Sequence, residues 1–300
     1  MSRPVTPSVS VIVLTYNWPA ALGLVLRALA RQSRLPLEVI VADDGSRPDT
    51  RALLLQSACD YPVPLRHAWQ EDFGFRASRA RNGGILAARG DYVILLDGDM
   101  ITHPKFIADH LMLAQRGTFV QGTRLRVTAA ETTRLLAGGR PRFHPWVDAH
   151  FRPRDALPSQ LHYGKRIHAL RLPWLARLKA RSRRGGHAMS CNMAIWRDDL
   201  LRVNGFNEAM EGYGSEDLEL AVRLQNAGLR RRQLKFSGLA IHLEHCSRSP
   251  GDPDDPLMPN NIILQRTRRE RIERCEQGVA QHLDASVTQL PDLRESMLEP

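Results

Sequence analysis

The segment YVILLDGDM, residues 92–100, runs four apolar side chains, Val93 to Leu96, into Asp97 and Asp99 with only Gly98 between them. Two carboxylates placed where a buried strand surfaces repel each other and lose hydration unless a cation accompanies them. Oxygen donors of this kind suit Mg²⁺ or Mn²⁺, and a glycine between them allows close approach of the chain. Such an ion keeps positions open for water and phosphate oxygens, so the pair predicts a metal-held diphosphate. By itself an Asp-x-Asp is also an ordinary solvated turn, and other segments have to discriminate. Glu216 and Asp217 open a stretch with Leu218, Ala221 and Val222 on one helical face, preceded by Gly212-Tyr213-Gly214. Acids in a first helical turn complement the helix dipole. A carboxylate there can equally take the proton of an attacking hydroxyl, and a glycine-flanked loop can close over a substrate and exclude water. Arg76, Arg79, Arg81 and Asn82 just precede the acidic strand. Guanidinium groups suit phosphate oxygens.

The elements that must position these residues are visible in the first 110 residues, where strands and helices alternate. SVSVIVLT (8–15), LEVIVADDGS (37–46), VPLRHAW (63–69) and DYVILLDGD (91–99) read as strands. AALGLVLRALARQ after Pro19, RPDTRALLLQSA (47–58) and ASRARNGGILAARG (77–90) read as helices by apolar spacing and by their proline and glycine punctuation. Near-continuously apolar strands separated by helices predict an α/β fold with a mainly parallel sheet covered on both faces. Ligands of such sheets bind at the carboxyl ends of the strands. Three of those ends are polar here: Thr15-Tyr16-Asn17, Asp43-Asp44-Gly45-Ser46 and Asp97-Gly98-Asp99. Residues 140–187 are rich in Pro, His and Arg and predict an irregular insert with one basic amphipathic helix. Regular structure resumes over 185–206. EDLELAVRLQNAG (216–228) predicts a helix capped by Ser215 and stopped by Gly228. The last 40 residues predict a polar tail with a short helix.

At 300 residues, with 43% hydrophobic and 25% charged residues, the chain is an ordinary globular protein with room for a large core. No apolar run approaches the 18 or so residues of a spanning helix. The N-terminus reads as a first strand and not as a signal peptide. Cys59, Cys191, Cys246 and Cys275 show neither metal-knuckle nor redox spacing, which predicts a reduced, cytoplasmic setting. The net charge of +10 suits a polyanionic partner: nucleic acid, an anionic membrane or an acidic substrate. Residues 165–184 alone hold eight Lys/Arg and no acid.

Taken in order, VSVIVLTYN, VIVADDGS, FRASRARNGGILAARGDYVILLDGDM and GYGSEDLEL resemble family 2 glycosyltransferases of the GT-A fold. The resemblance covers roughly residues 8–245. FGFRASRARNGGI followed by LDGDM is most similar to bacterial enzymes that build capsule, chondroitin-like or lipopolysaccharide glycans. It implies a GT-A domain over 1–245, with a Rossmann-like nucleotide-binding half (1–110) and a smaller acceptor-side half (111–245) that carries the insert, followed by the tail 246–300. It implies that Thr15, Tyr16, Asn17, Asp43 and Asp44 hold the nucleotide, a carboxylate accepting the uracil N–H and Tyr16 packing on the base. Arg76, Arg81, Asn82, Asp97 and Gly98 would contact the nucleotide or its diphosphate. Asp97 and Asp99 would hold Mn²⁺ or Mg²⁺ with a histidine from AIHLEHC (240–246): His242 matches by position and His245 is its rival. Asp217 would be the general base of an inverting displacement, and Glu216 would bind acceptor or sugar hydroxyls. Asn192 is a candidate for the donor sugar, while Trp69 and Trp196 read as core residues, with sugar stacking as the alternative. A UDP-sugar donor and a glycan or lipid-linked glycan acceptor follow. The basic helix would then lie on the anionic inner leaflet or form a solvated surface.

Other function classes fare less well. A nucleotidyltransferase would share the metal and the α/β fold but release pyrophosphate. A non-catalytic nucleotide-sugar binder would need neither the metal pair nor the base. Nucleic-acid binding would explain the charge, but no recognised nucleic-acid motif is present and aromatics are only 6%. The first strand–helix turn lacks the GxGxxG of dinucleotide enzymes.

Overall fold

The computed structural model describes residues 6–143, 170–180, 188–245, 255–283 and 290–295. The expected strands form where read: β1 (Val9–Thr15), β2 (Glu38–Asp43), β3 (Leu65–Trp69) and β4 (Tyr92–Asp97). Helices α1 (Pro19–Leu29), α2 (Pro48–Ala58) and α3 (Ala77–Ala87) connect them. Proline at the first position of α1 and α2 lacks only an N–H that a helix start leaves unpaired, and it fixes a helical φ.

Downstream come β5 (Met100–Thr102), α4 (Phe106–Leu113), β6 (Thr118–Gln121), β7 (Leu125–Arg126), α5 (Ala129–Leu136) and α6 (Pro173–Lys179). They are followed by β8 (Asn192–Trp196), α7 (Arg197–Arg202), α8 (Glu216–Asn226), β9 (Arg230–Gln233), β10 (Ala240–His242) and α9 (Pro259–Arg269). The main sheet has seven strands in the order β3-β2-β1-β4-β8-β6-β9. It is parallel through β1 to β4 and antiparallel only where β8 inserts between β4 and β6. A second sheet, β5-β10-β7, has three strands.

Alternation along β1 sends Val9, Val11 and Val13 into a core under α1, α2 and α4, and Ile12 into a second core with Ile85 of α3 and Leu220 and Leu224 of α8. A third, smaller core packs α1 against the three-stranded sheet through Leu24, Ile101 and Ile241. Asp97-Gly98-Asp99 is thus the link on which the chain leaves the large sheet and enters the small one.

Some local expectations are corrected. Ser215 precedes α8 but does not cap it: it sits at φ 65° and makes no side-chain bond to the helix. The short helix expected in the tail is present within residues 255–283, 11 residues long, and it packs against α8, with Thr267 Oγ1 donating to Glu219 and Asn226 Nδ2 to the Ile272 carbonyl. Of the insert 140–187, a basic helix is present as α6; residues 144–169 and 181–187 lie outside the described residues.

Candidate active site

The ends of β1, β2 and β4 converge with the N-terminus of α8 and the end of β10. Gly98 N donates to the Leu14 carbonyl at 2.7 Å. A Cβ at Gly98 would stand 2.9 Å from that oxygen and 3.2 Å from Thr15 Oγ1, so only glycine fits the turn. The turn sends the two carboxylates to different partners.

Asp97 Oδ1 accepts from Arg81 Nη2 at 3.1 Å. Arg81 is buried in the middle of α3 and also faces Asp217 at 3.8 Å and Glu216 at 4.0 Å, with its guanidinium over the Phe206 ring. One cation therefore stands among three carboxylates. Burial opposes its charge, but Asp217, Asp97 and Glu216 together raise its pKa above the ordinary value. Burial pushes Asp97 up to about 6, with Asp99 and Asp217 adding to the rise against the pull of Arg81. Burial, then the neighbouring Asp217, push Glu216 up to about 7.

Asp99 turns the other way. Its Oδ2 is 3.2 Å from His245 Nε2 and 3.6 Å from His242 Nε2. Pairing of His242 with Met100 across β10 and β5 sets this register. Burial would raise Asp99, but the bond from His245, with the neighbouring imidazoles, outweighs it and holds the carboxylate below its usual range. His242 is driven down to about 4 by burial, against Asp99, and is neutral at pH 7. The donor atoms of Asp99, His242 and His245 lie within 4.8 Å of one another. One carboxylate and two imidazoles form a reasonable donor set for Mn²⁺. Asp97 stands outside that trio, which takes both rival histidines in its place.

Asp99 Oδ1, His242 Nδ1, Asp217 Oδ1 and Arg81 Nη1 are buried without a hydrogen-bond partner. Buried polar atoms without a hydrogen bond are costly, and four of them stand together here, Arg81 Nη1 and Asp217 Oδ1 facing each other at 3.8 Å. The trio fits a divalent ion on this ground, since an oxygen of the carboxylate and a nitrogen of the inner imidazole both remain unspent.

The nucleotide residues expected from sequence divide into open and committed groups. Tyr16 and Asn17 border the cleft, Tyr16 Oη bonding Asp72 and Asn17 tied to Ser46 and Arg47 at φ 50°. Thr15 lies beneath them, against Gly98. Asp44 accepts from Gln70 Nε2 at 2.6 Å and Arg76 N at 2.9 Å, and burial still raises its pKa. Asp43 is fully buried, with Oδ1 bonded by Ser46 N and Oδ2 2.8 Å from His67 Nε2, so its carboxylate is spent on the turn. Asn82 instead ties α3 to the 206–208 loop: Nδ2 donates to the Phe206 carbonyl and Glu208, and Oδ1 accepts from Phe206 N. It has no exposed surface for a nucleotide. Asn192 is likewise internal, bonded to His110, the Thr123 carbonyl and the Gly238 carbonyl. Trp196 is buried against Tyr92 as read, whereas Trp69 is 54% exposed at the end of β3.

One feature of the site has no sequence signal that hydrophobic periodicity could detect. Asn260 Nδ2 donates to the Gly214 carbonyl, and Ser215 Oγ donates to Asn261 Oδ1. Asn261 Nδ2 in turn holds the Asp255 carbonyl. The start of α9 thereby fixes the loop that presents Glu216 and Asp217.

The model of glycosyl transferase family 2 matches residues 10–198, and that of the N-terminal domain of galactosyltransferase matches 177–246. Validoxylamine A glucosyltransferase of Streptomyces hygroscopicus subsp. limoneus is 28% identical over 239 residues, covering 74% of this chain and 49% of that protein. Chondroitin synthase of Escherichia coli is 25% identical over 85% of this chain and 37% of its own length. The chain thus spans about half or less of the length of these relatives. Among solved structures, S. aureus TarS superposes with a TM-score of 0.57 at 16% identity, over 91% of this chain and 41% of that one. A mannosyltransferase of Pyrobaculum calidifontis, in complex with GDP-Man and Mn²⁺, gives 0.53 at 17% identity, over 98% and 79%. These likenesses establish the GT-A fold expected from the motif order. With the family model matching well over half of the chain, across the sheet that carries the acidic turn, the protein belongs to glycosyl transferase family 2.

Proposed function

We propose that the protein is a metal-dependent, inverting glycosyltransferase that moves a sugar from a nucleotide-sugar, a UDP-sugar being favoured, to a hydroxyl of a growing bacterial surface glycan such as capsule or lipopolysaccharide. The observation that carries the reading is the gathering of four buried polar atoms without a hydrogen bond, on Arg81, Asp99, Asp217 and His242. Thr15, Tyr16, Asn17 and Asp44 line the nucleotide end, with Arg76 beside them. Asp99, His242 and His245 would hold Mn²⁺ or Mg²⁺, with Asp97 on its Arg81 partner alongside. When bound, such an ion would neutralise the diphosphate and stabilise the departing nucleoside diphosphate. Arg81 holds Asp217 and Glu216 at the reacting centre. The acceptor oxygen attacks the anomeric carbon, the bond to the diphosphate breaks, and the proton of the hydroxyl passes to Asp217. One displacement inverts the centre. Glu216, held near neutrality, binds an acceptor or sugar hydroxyl. An acceptor carried on a lipid would place the reaction at the anionic inner face of the cell membrane.

The test is nucleoside diphosphate release from UDP-, GDP- and dTDP-sugars, with Mn²⁺ and with chelator, in wild type and Asp217→Asn. Metal-dependent turnover of one donor is expected. The variant should bind that nucleotide normally and lose transfer by at least a hundredfold. Loss of nucleotide binding together with transfer would refute the role of Asp217. Pyrophosphate release from a nucleoside triphosphate would refute the reaction class.

A further inference from the structure

We propose that α6 is a membrane-docking element, which sets Trp174 and Leu178 into the headgroup layer of an anionic bilayer with Arg177 and Lys179 against lipid phosphates. The helix is only seven residues long but firmly held. Ala176 and Ala180 are buried in the main core, and Leu172 N donates to the Phe236 carbonyl. Arg171, just before the helix, forms a bidentate pair with Asp109 at 3.0 and 2.6 Å, and Asp109 Oδ2 also accepts from Gly238 N. Anchored in this way, the helix turns its other face outward. Trp174 is 66% exposed and Leu178 69%. Four residues apart, they share one side of the helix. A fixed helix that leaves its tryptophan and a leucine in water wastes the largest apolar surface it owns, unless something covers them.

Charge identifies what covers them. Arg177 and Lys179 are exposed next to the apolar pair, Lys179 Nζ lying over the Phe236 ring at 5.3 Å. Residues 165–184 hold eight Lys/Arg and no acid, in a chain of net charge +10. His103 lines a groove of about 730 Å³ between α1 and residues 138–143 that also presents Arg27, Arg31 and Arg140, and no carboxylate is among its lining residues. Tryptophan and leucine beside basic side chains, on a short fixed helix, are the composition of an element that lies in a membrane interface. Among the described residues no helix is long and apolar enough to cross a membrane, so the contact is one of surface docking. The proposal rests on the reading above only for where the acceptor is found.

The test is co-sedimentation of the full chain with vesicles of phosphatidylcholine alone or mixed with phosphatidylglycerol. Wild type should bind the mixed vesicles at least tenfold more tightly than neutral ones, and less tightly as salt is raised. Trp174→Ser combined with Leu178→Ser should lose at least tenfold, and Arg177→Gln combined with Lys179→Gln should remove the preference for anionic lipid. These side chains are exposed, so folding is retained, and turnover on a soluble acceptor should stay within twofold of wild type. Equal binding by the Trp174/Leu178 variant and wild type overturns the proposal. So does wild-type binding indifferent to phosphatidylglycerol, or capture of duplex DNA in place of vesicles. Vesicle binding without any donor turnover would sink the transferase reading and leave the docking element standing.

Discussion

Replacing Arg81 by Met removes the one cation that Asp97, Glu216 and Asp217 share, at 3.1, 4.0 and 3.8 Å. At such distances each pair carries about 4 kcal/mol of gross attraction at an effective dielectric near 20. Stranding buried partners in this way costs about 3–5 kcal/mol net. The cost depends on pH, with a sign that follows from Glu216. Its folded pKa of about 7 lies above its ordinary 4.5, so its contribution to stability is fully present below about 4.5 and is lost as pH climbs through 7. Arg81 limits that loss by pulling the value down. Without it the carboxyl rises further, and the penalty at pH 8 grows by up to about 1.4 kcal/mol, levelling off once the pKa passes 8. At pH 5.5 Glu216 is protonated with or without the arginine, and Asp97, at about 6, is largely so. Urea unfolding with chelator present should therefore show a loss of about 3–5 kcal/mol at pH 8, smaller at pH 5.5 by about 1–3 kcal/mol. An equal loss at both values would mean that Arg81 acts by packing on Phe206 and not by charge.

Mn²⁺ titration calorimetry should show affinity lowered at least tenfold in Asp99→Asn, in His242→Ala and in His245→Ala. Full affinity in His245→Ala with loss in Asp97→Asn would return the ion to the two aspartates. Glu219→Gln removes the charge partner of Arg223, which is fully buried and bonds Glu219 through Nε and the Val203 and Gly205 carbonyls through its other nitrogens. Chemical denaturation should show a loss of about 3–5 kcal/mol, and a loss under 1 kcal/mol would show that the carbonyls alone satisfy the guanidinium.

What could be read from sequence was what repeats locally. β1 to β4 announced themselves because strands buried on both faces are continuously apolar, and their polar ends were legible as interruptions of those apolar runs. The short helix expected in the tail is α9, but its packing on α8 was not legible, because the residues it buries include Asn260, Asn261 and Thr267, with Leu264 as an apolar contact. A polar buried face leaves no period to detect. Asn192 and Asn82 were placed with ligands because a polar residue beside a motif looks available. Their partners, His110 and the 206–208 loop, lie 82 and about 125 positions away. Ser215 has the residue type of a cap, but the hydrogen bond to Asn261 won over the helix start.

The opening puzzle of two acids around one glycine has an answer that sequence could not supply. Side chains two apart on a continuous strand would point the same way and share one cation. Here the chain instead turns at Gly98, pressed against Leu14 and Thr15, and passes from a seven-stranded sheet to a three-stranded one. Asp97 stays with the first sheet and meets the arginine of α3, while Asp99 leads into the second and meets His242 at the end of β10 and His245 beyond it. One Asp-Gly-Asp turn thus faces two partners, the buried arginine of α3 on one side and the two histidines on the other. A charged diphosphate lying between them would be held from both sides, with Asp217 behind the arginine. That arrangement explains why the glycine admits no side chain: a Cβ there would push the turn off β1 and separate the two partners.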